Sequence, residues 1–284
     1  MFDLVIANGL LVSAEATVHA DLGISGGKIA AIGHELKGRQ TIDASQMLVL
    51  PGAVDEHVHL EMPVGEFASS DDFYTGTVAA ACGGTTTIID FVEPEGGQRL
   101  SAALHERQSA ADHKVVVDYG LHMTLTDAQE QTLAQIRATI DAGVASFKLY
   151  MAYEGLRLDD TGLLRALQAI QHEGGRTIVH AENHHSIAYL TARALAQGRT
   201  GPENHPLTRP AHMEAEAIGR LLALALVTHA PLVVAHLSCA LGLDAIRAAR
   251  ARESRPHQQE CLEGSHRTSA ARQVQPRACR PWLW

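Results

Sequence analysis

The fold is decided at residues 51–60, which read PGAVDEHVHL, because the sequence changes character there. Before this stretch the apolar runs are short and each stops at a turn residue. After it, strand-like apolar runs alternate with helical stretches rich in Ala and Leu, which is typical of repeated βα units around a parallel sheet. The predicted strands cover residues 52–60, 85–91, 115–123, 146–151, 177–181 and 232–237.

Helical segments lie between the predicted strands. Ala, Leu and Ile recur at spacings close to 3.6 over residues 128–142, 159–173, 210–229 and 241–249. A doubly wound Rossmann sheet is the rival architecture, but no GxGxxG stretch follows a first strand. We therefore predict an α/β fold built as a TIM-like (β/α) barrel. A complete barrel needs eight strands, and no further strand can be read after residue 250, so the barrel is expected to be incomplete at its C-terminal end.

The chain is predicted to divide into three segments. Residues 1–50 carry short apolar runs that stop at turns such as Asn8-Gly9, the pattern of small antiparallel strands, and are expected to form part of a small β-sandwich. Residues 51–250 form the partial barrel. Residues 251–284 hold six arginines, no aspartate and no lysine. Their lack of periodicity predicts an aberrant, disordered tail, as a truncated or frameshifted reading frame would produce.

Composition restricts the classes of function. The 284 residues are 46% hydrophobic and carry a formal net charge of −9, so a large core is expected. The negative average field disfavours nucleic acid and a membrane surface as partners, which leaves a small molecule. No signal peptide or membrane-spanning run can be read. The four cysteines lack CxxC or disulfide-framework spacing, and we expect a cytoplasmic protein with reduced thiols.

Residues 54–60 also hold the first candidate ligands. Alternate residues of a strand point the same way, so His57 and His59 share a face at the carboxyl end of a strand, where barrel active sites lie. Two imidazoles converging there can chelate one metal ion. The competing explanation is a pair of surface histidines on an edge strand.

Lys148 is the second unusual feature. It lies in the apolar strand at residues 146–151, where an unpaired ammonium is costly to bury, and the chain has only four lysines. Burial lowers the pKa of a lysine and supplies a neutral amine that can form a Schiff base or a carbamate. The alternative is a lysine paired with a buried carboxylate such as Asp90, and this strand alone does not separate the two.

His180 and His236 each end a predicted strand. One such histidine is usually a core residue, but two of them beside a His-x-His pair and a buried lysine point to a single site. Three other strand residues are interpreted as supporting or packing groups: Asp90, Asp118 and His122. Three further histidines are predicted to lie in loops and have no assigned role: His184, His185 and His205.

These residues, in this order, resemble the amidohydrolase superfamily, and more closely its dihydropyrimidinase and D-hydantoinase branch of cyclic amidases. The resemblance covers residues 1 to about 250, and its markers lie at 51–63, 71–73, 83–87, 147–153, 180–183, 214–217 and 236–238. It implies hydrolysis of the cyclic amide of dihydropyrimidines or 5-substituted hydantoins to N-carbamoyl amino acids. No arginine follows the His-x-His pair, which argues against a dihydroorotase; allantoin remains an alternative substrate.

The resemblance also implies a binuclear metal centre. Two divalent ions, usually Zn²⁺, are expected, with His57 and His59 on one ion and His180 and His236 on the other. Lys148 is expected to be carboxylated to N6-carboxylysine, whose carbamate bridges both ions. Such ions activate water and polarise the amide carbonyl. The resemblance also implies a homo-oligomer, which is a tetramer in the family, and a small cyclic ureide or imide as the substrate.

Tyr153 matches the family tyrosine that contacts the substrate and hydrogen-bonds the developing oxyanion. Packing is its competing role. The family pattern fails at one point, because the family carries an aspartate at the end of the last barrel strand that ligates metal and shuttles a proton. The only aspartate after His236 is Asp244, within the predicted helix 241–249. A second hypothesis is therefore an inactive fragment or a non-enzymatic binding subunit of the same family.

Overall fold

The structure is a computed structural model that describes residues 1–64 and 67–253. Its strands are β1 (Phe2–Val12), β2 (Thr17–Ser25), β3 (Lys28–Gly33), β4 (Gly38–Asp43), β5 (Leu48–Val49), β6 (Ala53–Val58), β7 (Pro63–Val64), β8 (Phe67–Ala68), β9 (Thr85–Val92), β10 (Asp118–Thr124), β11 (Ser146–Tyr150), β12 (Arg176–His180) and β13 (Leu232–Val234). Its α-helices are α1 (Phe73–Cys82), α2 (Leu100–Ala111), α3 (Glu130–Leu133), α4 (Ile136–Asp141), α5 (Asp160–His172), α6 (His184–Ala196), α7 (His205–Thr208), α8 (Ala211–Thr228) and α9 (Ala240–Glu253), and a 3-10 helix spans Pro202–Asn204.

The N-terminal strands form one mixed sheet in the order β3-β2-β1-β4, with β5 also paired to β1. The hairpin between β2 and β3 turns at Gly26 and Gly27, whose positive φ angles of 58° and 74° suit a two-residue turn. The expectation of antiparallel pairing is right for β1 to β3, but β4 and β5 run parallel to β1. Turn residues encode only adjacent pairing; the chain after β3 crosses to the far side of β1, which reverses the direction of pairing.

The second sheet is parallel throughout and has the order β13-β12-β11-β10-β9-β6. Each strand pairs with the next one along the chain, so the order never reverses as it does in a doubly wound sheet. The result is a curled half-barrel, which confirms the predicted α/β architecture. All six predicted strands are present.

Two strand boundaries differ from the prediction by three residues. β6 ends at Val58, two residues early, so His59 follows the strand, and the other boundaries differ by one residue or agree. β10 starts at Asp118 rather than at residue 115, because Val115 still donates its backbone N–H to the Ala111 carbonyl at the end of α2. β13 ends at Val234 rather than at 237, because His236 has a φ of 35°, outside the β region.

The helical face of the half-barrel carries the main core. Phe147 and Leu149 of β11 pack with Leu163, Leu167 and Ile170 of α5, and all five are fully buried. Leu163, Leu167 and Ile170 repeat at helical spacing, so the predicted helix 159–173 is confirmed.

The single helix predicted over residues 128–142 is wrong. The chain forms α3 and α4 with a break near Gln135, whose side-chain oxygen accepts the Leu100 backbone N–H at 3.0 Å and so helps to start α2. This contact with a distant helix is invisible to local periodicity. The loop prediction for three histidines is also wrong, since helices contain His184, His185 and His205.

No helix in the described ranges is long and apolar enough to cross a membrane. The tail predicted at residues 251–284 lies outside the described residues from 254 onward; 251–253 continue α9. The division of the chain into three segments stays a prediction.

Candidate metal centre

The carboxyl ends of the parallel strands converge on a cavity of about 840 Å³. His57 lies in β6, Lys148 in β11, and His180 ends β12, while His236 follows β13 by two residues. The cavity wall includes all six residues that the sequence predicts as metal ligands or substrate contacts: His57, His59, Lys148, Tyr153, His180 and His236. The structure therefore brings the whole predicted set together.

A β-bulge in β6 aims the His-x-His pair. Asp55 pairs with Ile88 but Val58 pairs with Asp90, so β6 has one residue more than β9 over this interval. Bulges re-aim side chains near functional sites. The rings of His57 and His59 lie 5.2 Å apart. Alternation alone predicts a shared face; the bulge sets how the two rings meet.

His122 secures the backbone before the pair. Its Nε2 lies 3.0 Å from the Glu56 carbonyl and its Nδ1 lies 2.6 Å from Ser146 Oγ. A carbonyl oxygen only accepts, so Nε2 carries the proton and Nδ1 accepts the Ser146 hydroxyl. The sequence assigned His122 a supporting role, and its buried contacts with the bulge fit that role.

Arg107 secures the backbone after the pair. Its guanidinium donates to the Leu60 carbonyl and to the Asp90 carboxylate, and it stacks over the Phe73 ring at 4.5 Å. Burial raises the pKa of Asp90, while the Arg107 charge acts in the opposite direction. Asp90 is therefore paired with Arg107, and the alternative ion pair of Lys148 with Asp90 does not form.

Lys148 is only 1% exposed. In the described part of the chain no carboxylate lies within ion-pair distance of its ammonium, which instead approaches the rings of Phe91 and Tyr150 at 5.1 and 5.0 Å. Burial lowers its pKa to about 8, against a smaller raising effect from Glu93. A reactive neutral amine is thus accessible at mildly alkaline pH.

Three imidazoles of the site, those of His57, His59 and His236, favour the neutral form, which keeps a lone pair for a metal ion. Burial, with smaller contributions from nearby cationic groups, lowers the pKa of His57 to about 3 and that of His59 to about 4, and it also lowers the pKa of His236. His180 Nδ1 and His236 Nε2 lie 3.0 Å apart. Two nitrogens each about 2.1 Å from one zinc ion, at angles of roughly 90 to 110°, are separated by about 3.0 to 3.4 Å. The observed separation fits a shared ion.

The described residues contain no group of three or more His, Cys, Asp or Glu side chains arranged to hold an ion. The candidate metal ligands are two pairs of histidines around a lysine, so a full coordination shell requires a ligand atom other than an imidazole nitrogen. A carbamate on Lys148 would supply anionic oxygens, which an ammonium cannot do.

Tyr153 has an unusual backbone. Its φ is 73° and its side chain is 40% exposed, with the ring 4.9 Å from the His180 ring. Left-handed conformations of bulky residues are strained and occur preferentially at functional sites. His236, with a φ of 35°, shares this property. Burial raises the pKa of Tyr153, which keeps its hydroxyl protonated and able to donate.

Two residues beside the cavity had no role in the sequence analysis. Glu182 accepts from His180 Nε2 at 2.7 Å, and Arg209 donates to the same carboxylate oxygen at 3.2 Å. The hydrogen bond from His180 is the largest of the effects that lower the pKa of Glu182. Glu182 lies in residues 180–183, one of the stretches that carry the family resemblance, so the sequence contained a signal that could have identified it. Arg209, between α7 and α8, had none.

The amidohydrolase family matches residues 48–251. D-hydantoinase of Rhizobium radiobacter is 42% identical over 252 residues, covering 88% of this chain and 55% of the relative. D-hydantoinase of Geobacillus stearothermophilus is 43% identical over 249 residues, covering 86% and 53%. A solved D-hydantoinase structure gives a TM-score of 0.85 at 40% identity, covering 89% of this chain and 56% of that one. The chain spans about half the length of the curated relatives it matches.

Proposed function

This chain belongs to the amidohydrolase family, and on that premise we propose that it hydrolyses the cyclic amide bond of 5-substituted hydantoins or dihydropyrimidines to N-carbamoyl amino acids. The observation that carries the proposal is the convergence of four histidines and one buried lysine on a single cavity at the strand ends. Similarity to proteins named D-hydantoinase supports the substrate class.

We propose two divalent metal ions as cofactors, most often Zn²⁺, with His57, His59, His180, His236 and carboxylated Lys148 as ligands. The low pKa values of His57 and His59 support this, because neutral rings keep a lone pair for metal at pH 7. When bound, such ions generate a nucleophile from water at neutral pH and polarise the carbonyl oxygen. A carbamate forms when the neutral Lys148 amine attacks CO₂ and releases a proton.

Tyr153 is the proposed oxyanion donor. Its hydroxyl stays protonated, and a donor held in place beside a carbonyl stabilises the charge that develops on the oxygen. The cavity wall also includes Met62, Leu156 and Val233, which give part of it an apolar surface. A small, neutral cyclic ureide or imide suits a pocket of mixed apolar and imidazole character. A homo-oligomer, a tetramer in the family, and a cytoplasmic location also remain proposals.

A second candidate is a binding subunit without catalytic activity. It is favoured by one observation: the only aspartate that follows His236 in the sequence is Asp244, which lies in α9 and pairs with Arg247 at 3.5 Å. Asp244 is not among the residues of the cavity wall.

The test uses the full 284-residue chain, stripped with chelator and reloaded with zinc and bicarbonate. Metal content is measured by mass spectrometry, and opening of dihydrouracil and of a 5-substituted hydantoin is followed by chromatography. Two ions per chain with ring opening supports the enzyme, and two ions without ring opening supports the binding subunit. Fewer than about one ion per chain would exclude the binuclear centre.

A further inference from the structure

We propose that Glu182 and Arg209 are positioning residues that hold His180 in a single tautomer, with Nδ1 as the nitrogen that faces the cavity. This inference deepens the proposed metal-dependent function and rests on it for its consequence in metal binding. The tautomer itself can be measured without metal.

The hydrogen bond from His180 sets the tautomer. Nε2 lies 2.7 Å from Glu182 Oε2, and an ionised carboxylate can only accept, so Nε2 carries the proton. In the neutral form of the ring, which has a single N–H, Nδ1 then keeps its lone pair. Nδ1 lies 3.0 Å from His236 Nε2, on the cavity side. Carboxylates that bind the distal nitrogen of a metal-ligating histidine fix its ring in this way.

Arg209 holds the carboxylate in turn. Its Nη1 donates to the same Glu182 oxygen at 3.2 Å, and its Nε donates to His205 Nε2 at 2.9 Å. Both members of the pair are mostly buried, so solvent screens the interaction less than at an exposed site. The guanidinium also lies 5.6 Å from the centre of the Tyr153 ring. One cation thus contacts both the partner of His180 and the proposed oxyanion donor.

The arrangement links segments that are distant along the chain. His180 and Glu182 come from the end of β12, whereas Arg209 comes from the connection before α8. In the described part of the chain, Glu182 makes its side-chain hydrogen bonds to His180 and Arg209 alone. A carboxylate with only these two partners is placed to orient the imidazole.

A matched control lies on the neighbouring helix. Glu216 accepts a hydrogen bond from Arg220 at 3.2 Å and thus forms another carboxylate–guanidinium pair, but the cavity wall includes neither residue. Glu216→Gln removes the same charge as Glu182→Gln and changes no contact of His180. Glu216 also accepts from Asn183 Nδ2 at 2.7 Å, and the glutamine side-chain oxygen can keep that hydrogen bond. An effect seen with Glu182→Gln but not with Glu216→Gln therefore reports on the site rather than on the loss of one carboxylate.

The first experiment reads the tautomer by long-range ¹H–¹⁵N correlation on metal-free, histidine-labelled full chain, with His180 assigned from a His180→Gln variant. The wild type and Glu216→Gln are expected to carry the His180 proton on Nε2 only. Glu182→Gln should give a mixture, because an amide can either donate or accept. Wild-type protein with the proton on Nδ1, or Glu182→Gln with an unchanged tautomer, overturns the proposal.

The second experiment titrates Co²⁺ into the same proteins and follows absorbance, with stoichiometry from equilibrium dialysis. Glu182→Gln should weaken the binding of one of the two ions by about 10- to 100-fold and leave the affinity for the other unchanged. Arg209→Met keeps the Glu182 carboxylate and should weaken the binding of the same ion by a smaller factor. This variant replaces Glu182→Gln in the test if Glu182→Gln does not fold. Two bound ions with both affinities unaltered in both variants overturns the proposal. A wild type that binds no ion refutes the proposed function, while the tautomer measurement still decides this inference.

Discussion

Arg107→Met should destabilise the protein by about 3 kcal/mol at neutral pH, the lower end of the roughly 3–5 kcal/mol lost when one member of a buried ion pair is removed. Asp90 is fully buried, its Oδ1 has no hydrogen-bond partner among the residues that the structure describes, and Arg107 neutralises its charge. The lower end applies because the Arg107 side chain is 17% exposed and solvent screens part of its charge. Methionine keeps an apolar stem but removes the guanidinium, so the loss combines the charge, the hydrogen bond to the Leu60 carbonyl and the contact of the guanidinium with the Phe73 ring.

The destabilisation should shrink on acidification. Burial raises the pKa of Asp90 in the folded state above its unfolded value of 3.8, and removing Arg107 raises it further. Between the two pKa values the folded state binds more protons than the unfolded state, so stability rises as pH falls through the folded pKa. The difference between variant and wild type is therefore largest at neutral pH and smaller at about pH 5.

Urea unfolding followed by circular dichroism measures both effects. Asp90→Asn in the Arg107→Met background should recover part of the loss, because it removes the unpaired charge. Arg137→Met is the control: it breaks an exposed pair with Asp141 and should change stability little. A loss no larger than that of the control, or a loss that grows as pH falls, would refute the reasoning.

Three further predictions concern the site. Tyr153→Phe should lower kcat for ring opening by about 10²- to 10³-fold with metal content unchanged, and steady-state kinetics within twofold of wild type would contradict its role. His122→Phe should cost about 1–3 kcal/mol in urea unfolding, because the Glu56 carbonyl and the Ser146 hydroxyl lose their partner; an unchanged midpoint would count against this contact. Metal-free wild type should gain stability from pH 8 to 10.5, because Lys148 has a folded pKa of about 8 and the unfolded chain binds more protons than the folded chain in that range. Lys148→Met should lack this gain in urea unfolding at each pH. Equal pH profiles for the two proteins would contradict the lowered pKa of Lys148.

Much of the half-barrel could be predicted because its signals are local. Each strand is an apolar run between turn residues, and parallel strands place their carboxyl ends at one edge of a sheet. His57, His180 and His236 could therefore be assigned to one site from their positions at strand ends. The tetramer rested on resemblance, and the cytoplasmic location rested on the lack of a readable signal peptide and on the spacing of the cysteines; both stay predictions.

Contacts between distant segments could not be predicted in the same way. Periodicity over residues 128–142 indicated one helix, yet Gln135 turns its side chain to α2 and the helix divides. The sequence left open whether Lys148 pairs with Asp90, since neither spacing nor composition says which cation reaches a buried carboxylate. The structure pairs Asp90 with Arg107 and leaves Lys148 among aromatic rings.

The sequence by itself determined which residues stand at the strand ends, because strand formation depends on neighbours a few residues away. Only the tertiary structure decided how those residues are oriented. The bulge at Asp55, the contact of His122 with the Glu56 carbonyl and the hydrogen bond of Glu182 to His180 all depend on the register and packing of separate strands. Ring orientation is set by hydrogen bonds whose partners come from elsewhere in the fold, and a linear pattern carries no record of them.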